Sequence, residues 1–116
     1  MGARIRSLKL SEAEFTRQVI GLAQSLGWLI AHFRAARTAT GWATPVQGDG
    51  KGFPDLLGVH LLKRRAFAAE LKVGRNKATP EQKRWLQAFE AAGIPAYTWR
   101  PDEFETEIRA VLEGRS

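Results

Sequence analysis

Gly52-Phe53-Pro54-Asp55-Leu56-Leu57-Gly58-Val59-His60-Leu61-Leu62-Lys63-Arg64-Arg65-Ala66-Phe67-Ala68-Ala69-Glu70-Leu71-Lys72-Val73 is the stretch that decides the fold. Two apolar runs, Leu56 to Leu62 and Ala66 to Val73, flank the basic turn Lys63-Arg64-Arg65 and predict a β-hairpin. In the second run, strand alternation places Glu70 and Lys72 on one face and Phe67, Ala69 and Leu71 on the other. An acid and a base then project together while three apolar side chains pack. Alone, such a pair also reads as an ordinary solvated strand face carrying an ion pair. Asp55 adds to it, because the hairpin connection brings the entrance of the first strand towards Glu70. Pro54 holds the preceding backbone extended, and Gly52 permits close approach of another segment. Two carboxylates converging there repel each other unless a cation sits between them. The plain alternative for Asp55 is a turn residue bonding its own backbone.

Working outward, Ser11-Glu12-Ala13-Glu14 matches a capping box and opens a helix with Phe15, Val19, Leu22, Ala23 and Leu26 at helical spacing, ended at Gly27. Trp28 to Phe33 reads as a buried strand. Arg34 to Gly52 lacks clean periodicity and reads as a long loop, a place where functional contacts concentrate. Beyond the hairpin, Thr79-Pro80-Glu81-Gln82 starts a second helix, with Thr79 as cap, proline at the first position and Gln82 closing the box. Trp85, Leu86 and Phe89 are its expected buried face. Gly93 and Pro95 end it, Ala96 to Trp99 forms a short strand, and Asp102 caps a last helix carrying Phe104, Ile108, Val111 and Leu112. The predicted order is α-β-β-β-α-β-α, an α/β domain with a central mixed sheet flanked by helices.

A chain of 116 residues that is 44% hydrophobic suits one domain spanning residues 1–116. With no cysteine, disulfides and thiolate metal sites are excluded, while a hard, oxygen-ligated metal site remains open. No apolar run is long enough to span a bilayer and no signal peptide is evident, so no membrane partner and a cytoplasmic location are expected. Eighteen Lys and Arg against twelve Asp and Glu leave a formal charge of +6, which favours phosphate backbones as partners but also fits a merely solubilising surface.

Gly52-Phe53-Pro54-Asp55 followed by Glu70-Leu71-Lys72 resembles the PD-(D/E)XK nuclease signature. With a Glu-bearing first helix and Thr79-Pro80-Glu81-Gln82 leading to Trp85-Leu86, the chain is similar over nearly its whole length to the VRR-NUC branch, including small stand-alone phage and bacterial proteins. The resemblance implies a restriction-endonuclease-like core and Mg²⁺- or Mn²⁺-dependent phosphodiester hydrolysis. It implies that Asp55 and Glu70 bind the metal, with the Leu71 carbonyl as a further ligand, and that Lys72 positions or activates the attacking water. It also implies an acidic residue on the first helix. Glu14 is committed to the capping box, so Glu12 is the expected contributor. Gln82 matches a polar residue of the family, in competition with its capping role.

Arg34, Arg37, Lys51, Arg75, Lys77 and Lys83 are the expected nucleic-acid contacts, with Arg64, Arg65, Asn76 and Arg84 as further candidates. Such contacts fix position without reading sequence. Trp42 could stack on an unpaired base or lid the core. Trp28, Trp85 and Trp99 belong to apolar segments and are expected in the core, while His32 and His60 lack a matching ligand partner and read as structural. The function expected is a structure-directed DNA endonuclease, acting on branched or Holliday-junction-like DNA as a homodimer. Alternatives are a non-catalytic nucleic-acid-binding module retaining the fold, separated by binding without cleavage, and an RNA-directed nuclease, separated by matched substrates.

Overall fold

The computed structural model describes residues 10–33, 36–38, 41–43 and 46–115. Residues 1–9, Arg34, and the side chains of Arg37 and Trp42 lie outside the described residues. Helix α1 (Glu12–Ser25) opens with the expected reciprocal capping box of Ser11 and Glu14. Strands β1 (Leu29–His32), β2 (Ala36–Thr38), β3 (Gly41–Ala43), β4 (Leu56–His60) and β5 (Arg65–Leu71) follow, then α2 (Pro80–Ala91) and β6 (Ala96–Trp99). A 3₁₀ turn (Pro101–Glu103) and a π-helical stretch (Phe104–Ile108) lead into α3 (Arg109–Glu113).

The main sheet has the order β1-β4-β5-β6. β4 pairs antiparallel with both β1 and β5, while β6 runs parallel to β5, reached through α2. This is the expected mixed sheet flanked by helices. Several details differ from the sequence reading. β1, expected to be buried, is mostly exposed and lies at the edge of the sheet. Asp102 does not cap a helix but falls inside the 3₁₀ turn that follows Arg100. The long loop contains a small antiparallel pair, β2 with β3, too short to register as periodicity. β4 ends at His60, because the turn begins there: His60 Nδ1 accepts the Lys63 N–H at 3.2 Å and Arg64 adopts φ 53°. Leu61 and Leu62 are therefore left on the turn, 78% and 89% exposed.

One sheet face makes the core. Leu56, Phe67, Ala69, Leu71 and Trp99 pack there against Phe15, Val19 and Ala23 of α1 and Ile108, Val111 and Leu112 near the C-terminus. Burying side chains of this size stabilises by about 1.5–3 kcal/mol each. Trp28 closes one end, donating its indole N–H to Leu112 O at 2.9 Å. The opposite face, bearing Ala68 and Glu70, lies under α2. That helix buries no residue completely. Its expected core residues Trp85, Leu86 and Phe89 are only half-buried, because α2 covers a small aromatic group rather than the main core. There Phe53 stands edge-on to Phe33 and to Trp85, each with ring centroids 4.9 Å apart.

Candidate active site

Extending the β4–β5 register of Leu56 with Ala69 by one residue sets Asp55 opposite Glu70. Pro54 is fully buried, cannot donate to the ladder, and marks where the strands begin to part. Asp55 fills the gap, its Oδ2 accepting the Leu71 N–H at 2.8 Å. Its main-chain carbonyl accepts the Phe33 N–H, also at 2.8 Å, so the residue is tied to both neighbouring strands. The loop before it is held against α2. Gly52 has φ 81°, and a Cβ added there would lie 2.6 Å from the Glu81 backbone and 2.7 Å from Gln82 N.

Glu70 is 2% exposed. Its Oε2 accepts a hydrogen bond from Gln82 Nε2 at 2.7 Å and lies 3.4 Å from Lys72 Nζ. Its Oε1 is buried with no hydrogen-bond partner among the described residues. Burial, and then the negative charge of Asp55, push the Glu70 carboxyl up to about 8, against the pull of Lys72. Asp55 is raised too, by burial, while the Leu71 N–H, Glu70, Lys72 and His32 hold it back. Lys72 follows β5 directly, and its N–H donates to Trp99 O at 2.9 Å, carrying the sheet ladder up to the site.

Asp55, Glu70, Lys72 and Gln82 are thus brought together. Gln82 makes two contacts at once: its Oε1 accepts the Thr79 N–H at 2.8 Å in the cap, while its Nε2 donates to Glu70. Glu12 is not brought in. It is exposed at the first position of α1, and no group of three or more His, Cys, Asp or Glu among the described residues is placed to hold a metal ion. His60 is structural as expected, with Nε2 2.9 Å from Leu26 O. His32, which also reads as structural, is exposed and lies close enough to Asp55 to lower its pKa. Its place at the end of β1, one residue before Phe33 bonds to Asp55, is apparent only from the register.

Lys51, Arg75, Lys77 and Lys83 are exposed. The turn bearing Arg75 and Lys77 is pinned by Arg100, whose guanidinium donates to Gly74 O at 3.1 Å and to Asn76 O at 2.5 Å. Sequence reasoning missed Arg100, since nothing local links it to residues two dozen positions earlier.

The donor set fits a hard cation. All the side-chain ligands on offer are carboxylate oxygens, one of them buried and unsatisfied, and burial raises both carboxyls, Glu70 further through the charge of Asp55, so a cation between them would be favoured. Magnesium commonly takes one or two carboxylates and keeps several waters, so a third acidic residue is not required.

Buried Glu70 and half-buried Asp55 stand with Lys72 at the mouth of a hairpin on a four-stranded mixed sheet, an arrangement of the kind that suits metal-assisted hydrolysis of phosphate esters. The chain belongs to the VRR-NUC domain family, whose profile matches residues 24–101. Membership implies a nuclease-type function. The matched span contains Asp55, Glu70, Leu71, Lys72 and Gln82, and leaves Glu12 outside. No curated protein and no solved structure matches the chain at a significant level. Among the described residues, no helix is long and apolar enough to cross a membrane.

Proposed function

We propose that the chain is a metal-dependent DNA endonuclease that hydrolyses phosphodiester bonds in branched or junction-like DNA. The observation that carries this function is the convergence of Asp55, Glu70 and Lys72, with one buried Glu70 oxygen left unsatisfied. Asp55, Glu70 and the Leu71 carbonyl are the groups that would hold Mg²⁺ or Mn²⁺. The ion, when bound, would polarise a phosphoryl oxygen and lower the pKa of a bound water.

The protein's own residues do the rest. Lys72, with its side chain 12% exposed, presents an ammonium beside Glu70 where it can orient the attacking water and offset charge gathering on the phosphoryl oxygens. Gln82 holds Glu70 in one orientation from a helix fixed by its own cap. Arg75 and Lys77, on the turn braced by Arg100, would bind the phosphate backbone. Glu12 has no part in this scheme.

We also propose a homodimer. Leu29 and Val59 face each other across the β1–β4 register and are 72% and 49% exposed; with Leu61 and Leu62 they make an apolar margin beside the edge strand β1. An exposed apolar patch of this kind marks an interaction surface. Light scattering should give a dimer for the wild type and a monomer for Leu62→Glu; a wild-type monomer would refute it.

The decisive test is incubation of the pure protein with branched, flapped, linear and RNA substrates in Mg²⁺, Mn²⁺ or EDTA. Metal-dependent cleavage of branched DNA that is abolished in both Asp55→Ala and Lys72→Ala is the expected result. Cleavage surviving both substitutions would overturn the assignment.

A further inference from the structure

The loop before β4, at Gly48, Asp49 and Lys51, and the flank of α2 carrying Glu81, Arg84, Trp85 and Ala88 line an open pocket of about 410 Å³. Its wall is Trp85. The indole is fixed in plane, because Nε1 donates to Asp49 O at 2.9 Å and the ring packs edge-on against Phe53 and at 5.9 Å from Phe89. The residue is half-exposed and lines the pocket. Around the rim stand two cations, Lys51 and Arg84, and two carboxylates, Asp49 and Glu81.

That balance tells against a phosphate as occupant, since a phosphate site carries a surplus of positive charge. A fixed aromatic wall with donors and acceptors of both signs around it suits an uncharged, flat heterocycle. Lys51 is paired only loosely with Glu81, at 3.8 Å with its side chain 84% exposed, so its ammonium can turn to a neighbouring backbone phosphate at little cost. Glu81 lines the pocket, and the next residue, Gln82, holds Glu70. The pocket and the hydrolytic centre are therefore rigidly linked through the first turn of α2.

We propose that this pocket is a subsite for one unpaired nucleobase of the bound strand, stacked on Trp85, next to the phosphate that is cut. The subsite rests on the nuclease function proposed above, and it gives that function a reason to select branched or frayed DNA, where a base is free to leave the helix. Stacking of a base on an aromatic side chain typically changes affinity by about one order of magnitude.

The test measures binding separately from cleavage. Fluorescence anisotropy in EDTA would compare branched DNAs whose single-stranded arm carries an abasic residue at successive positions from the junction. Wild-type protein should lose on the order of tenfold in affinity at one position only. Trp85→Leu, shown folded by its circular dichroism and melting curve, should bind the abasic and intact DNAs equally, while Trp85→Phe keeps part of the difference. If no position matters, or if Trp85→Leu still discriminates, the subsite is overturned; metal-dependent cleavage of the same DNAs would leave the nuclease function standing. If the protein neither binds nor cuts any of them, both fail together.

Discussion

Replacing Glu70 with glutamine should remove most of the pH dependence of the metal-free protein's stability. Glutamine has the shape of the protonated acid: its carbonyl can accept the Gln82 amide that Oε2 now accepts, and its amide can donate towards Asp55. In the wild type the Glu70 carboxyl is raised from an ordinary 4.5 to about 8. The folded state therefore binds a proton that the unfolded chain releases, and the contribution is fully present below about pH 4.5 and lost as pH rises to about 8. At about 1.36 kcal/mol per pH unit the whole window is worth at most ~5 kcal/mol, and water reaching the site reduces this to a few. Asp55, also raised by burial, adds in the same direction. Urea denaturation in EDTA from pH 5 to 9 should show wild-type stability falling by ~2–5 kcal/mol, while Glu70→Gln follows a much flatter line. Saturating Mg²⁺ should remove the wild-type decline at the alkaline end, because a bound cation favours the ionised pair. A variant that tracks the wild type across the whole range would refute the assignment of that proton to Glu70.

Lys72→Met keeps the length of the side chain and should fold, yet lose about a hundredfold or more in cleavage rate, measured as single-turnover kinetics on branched DNA. Gly52→Ala places a Cβ at 2.6 Å from the Glu81 backbone at φ 81°, and should cost about 2 kcal/mol or more in urea denaturation. Thr79→Ala removes only a helix cap and should cost about 1 kcal/mol, whereas Gln82→Ala removes the cap partner and the Glu70 bond and should cost more and slow cleavage as well. Equal effects of the last two on rate would show that Gln82 acts only through the helix.

Where function rests on local chemistry, the sequence was readable. Both capping boxes, the hairpin and the Glu70/Lys72 face follow from spacing alone, because each is fixed by neighbours within a few positions. The meeting of Asp55 with Glu70 could also be foreseen, since one turn joins their strands. What escaped was set by distant partners. α2 carries Trp85, Leu86 and Phe89 at a core-like spacing, and nothing in that spacing tells the main core from a half-open aromatic group beside it. Leu61 and Leu62 read as strand because they are apolar, but the His60 ring recruits the Lys63 N–H and turns the chain early. Arg100 braces a turn far upstream, and the β2–β3 pair is too short to leave a pattern. Glu12 came from resemblance and elimination, and it stands exposed at the first position of α1.

Asp55 has one oxygen committed to the Leu71 amide, and that bond is also what keeps the mouth of the hairpin closed after Pro54 ends the ladder. In the proposed scheme, chemistry and architecture thus draw on the same carboxyl group. A descendant of this chain that gave up hydrolysis could not discard the residue freely, because an alanine would leave a main-chain donor stranded between two parting strands. Asparagine would be the tolerated replacement, so retired enzymes of this kind should be recognisable by an amide where the acid once stood.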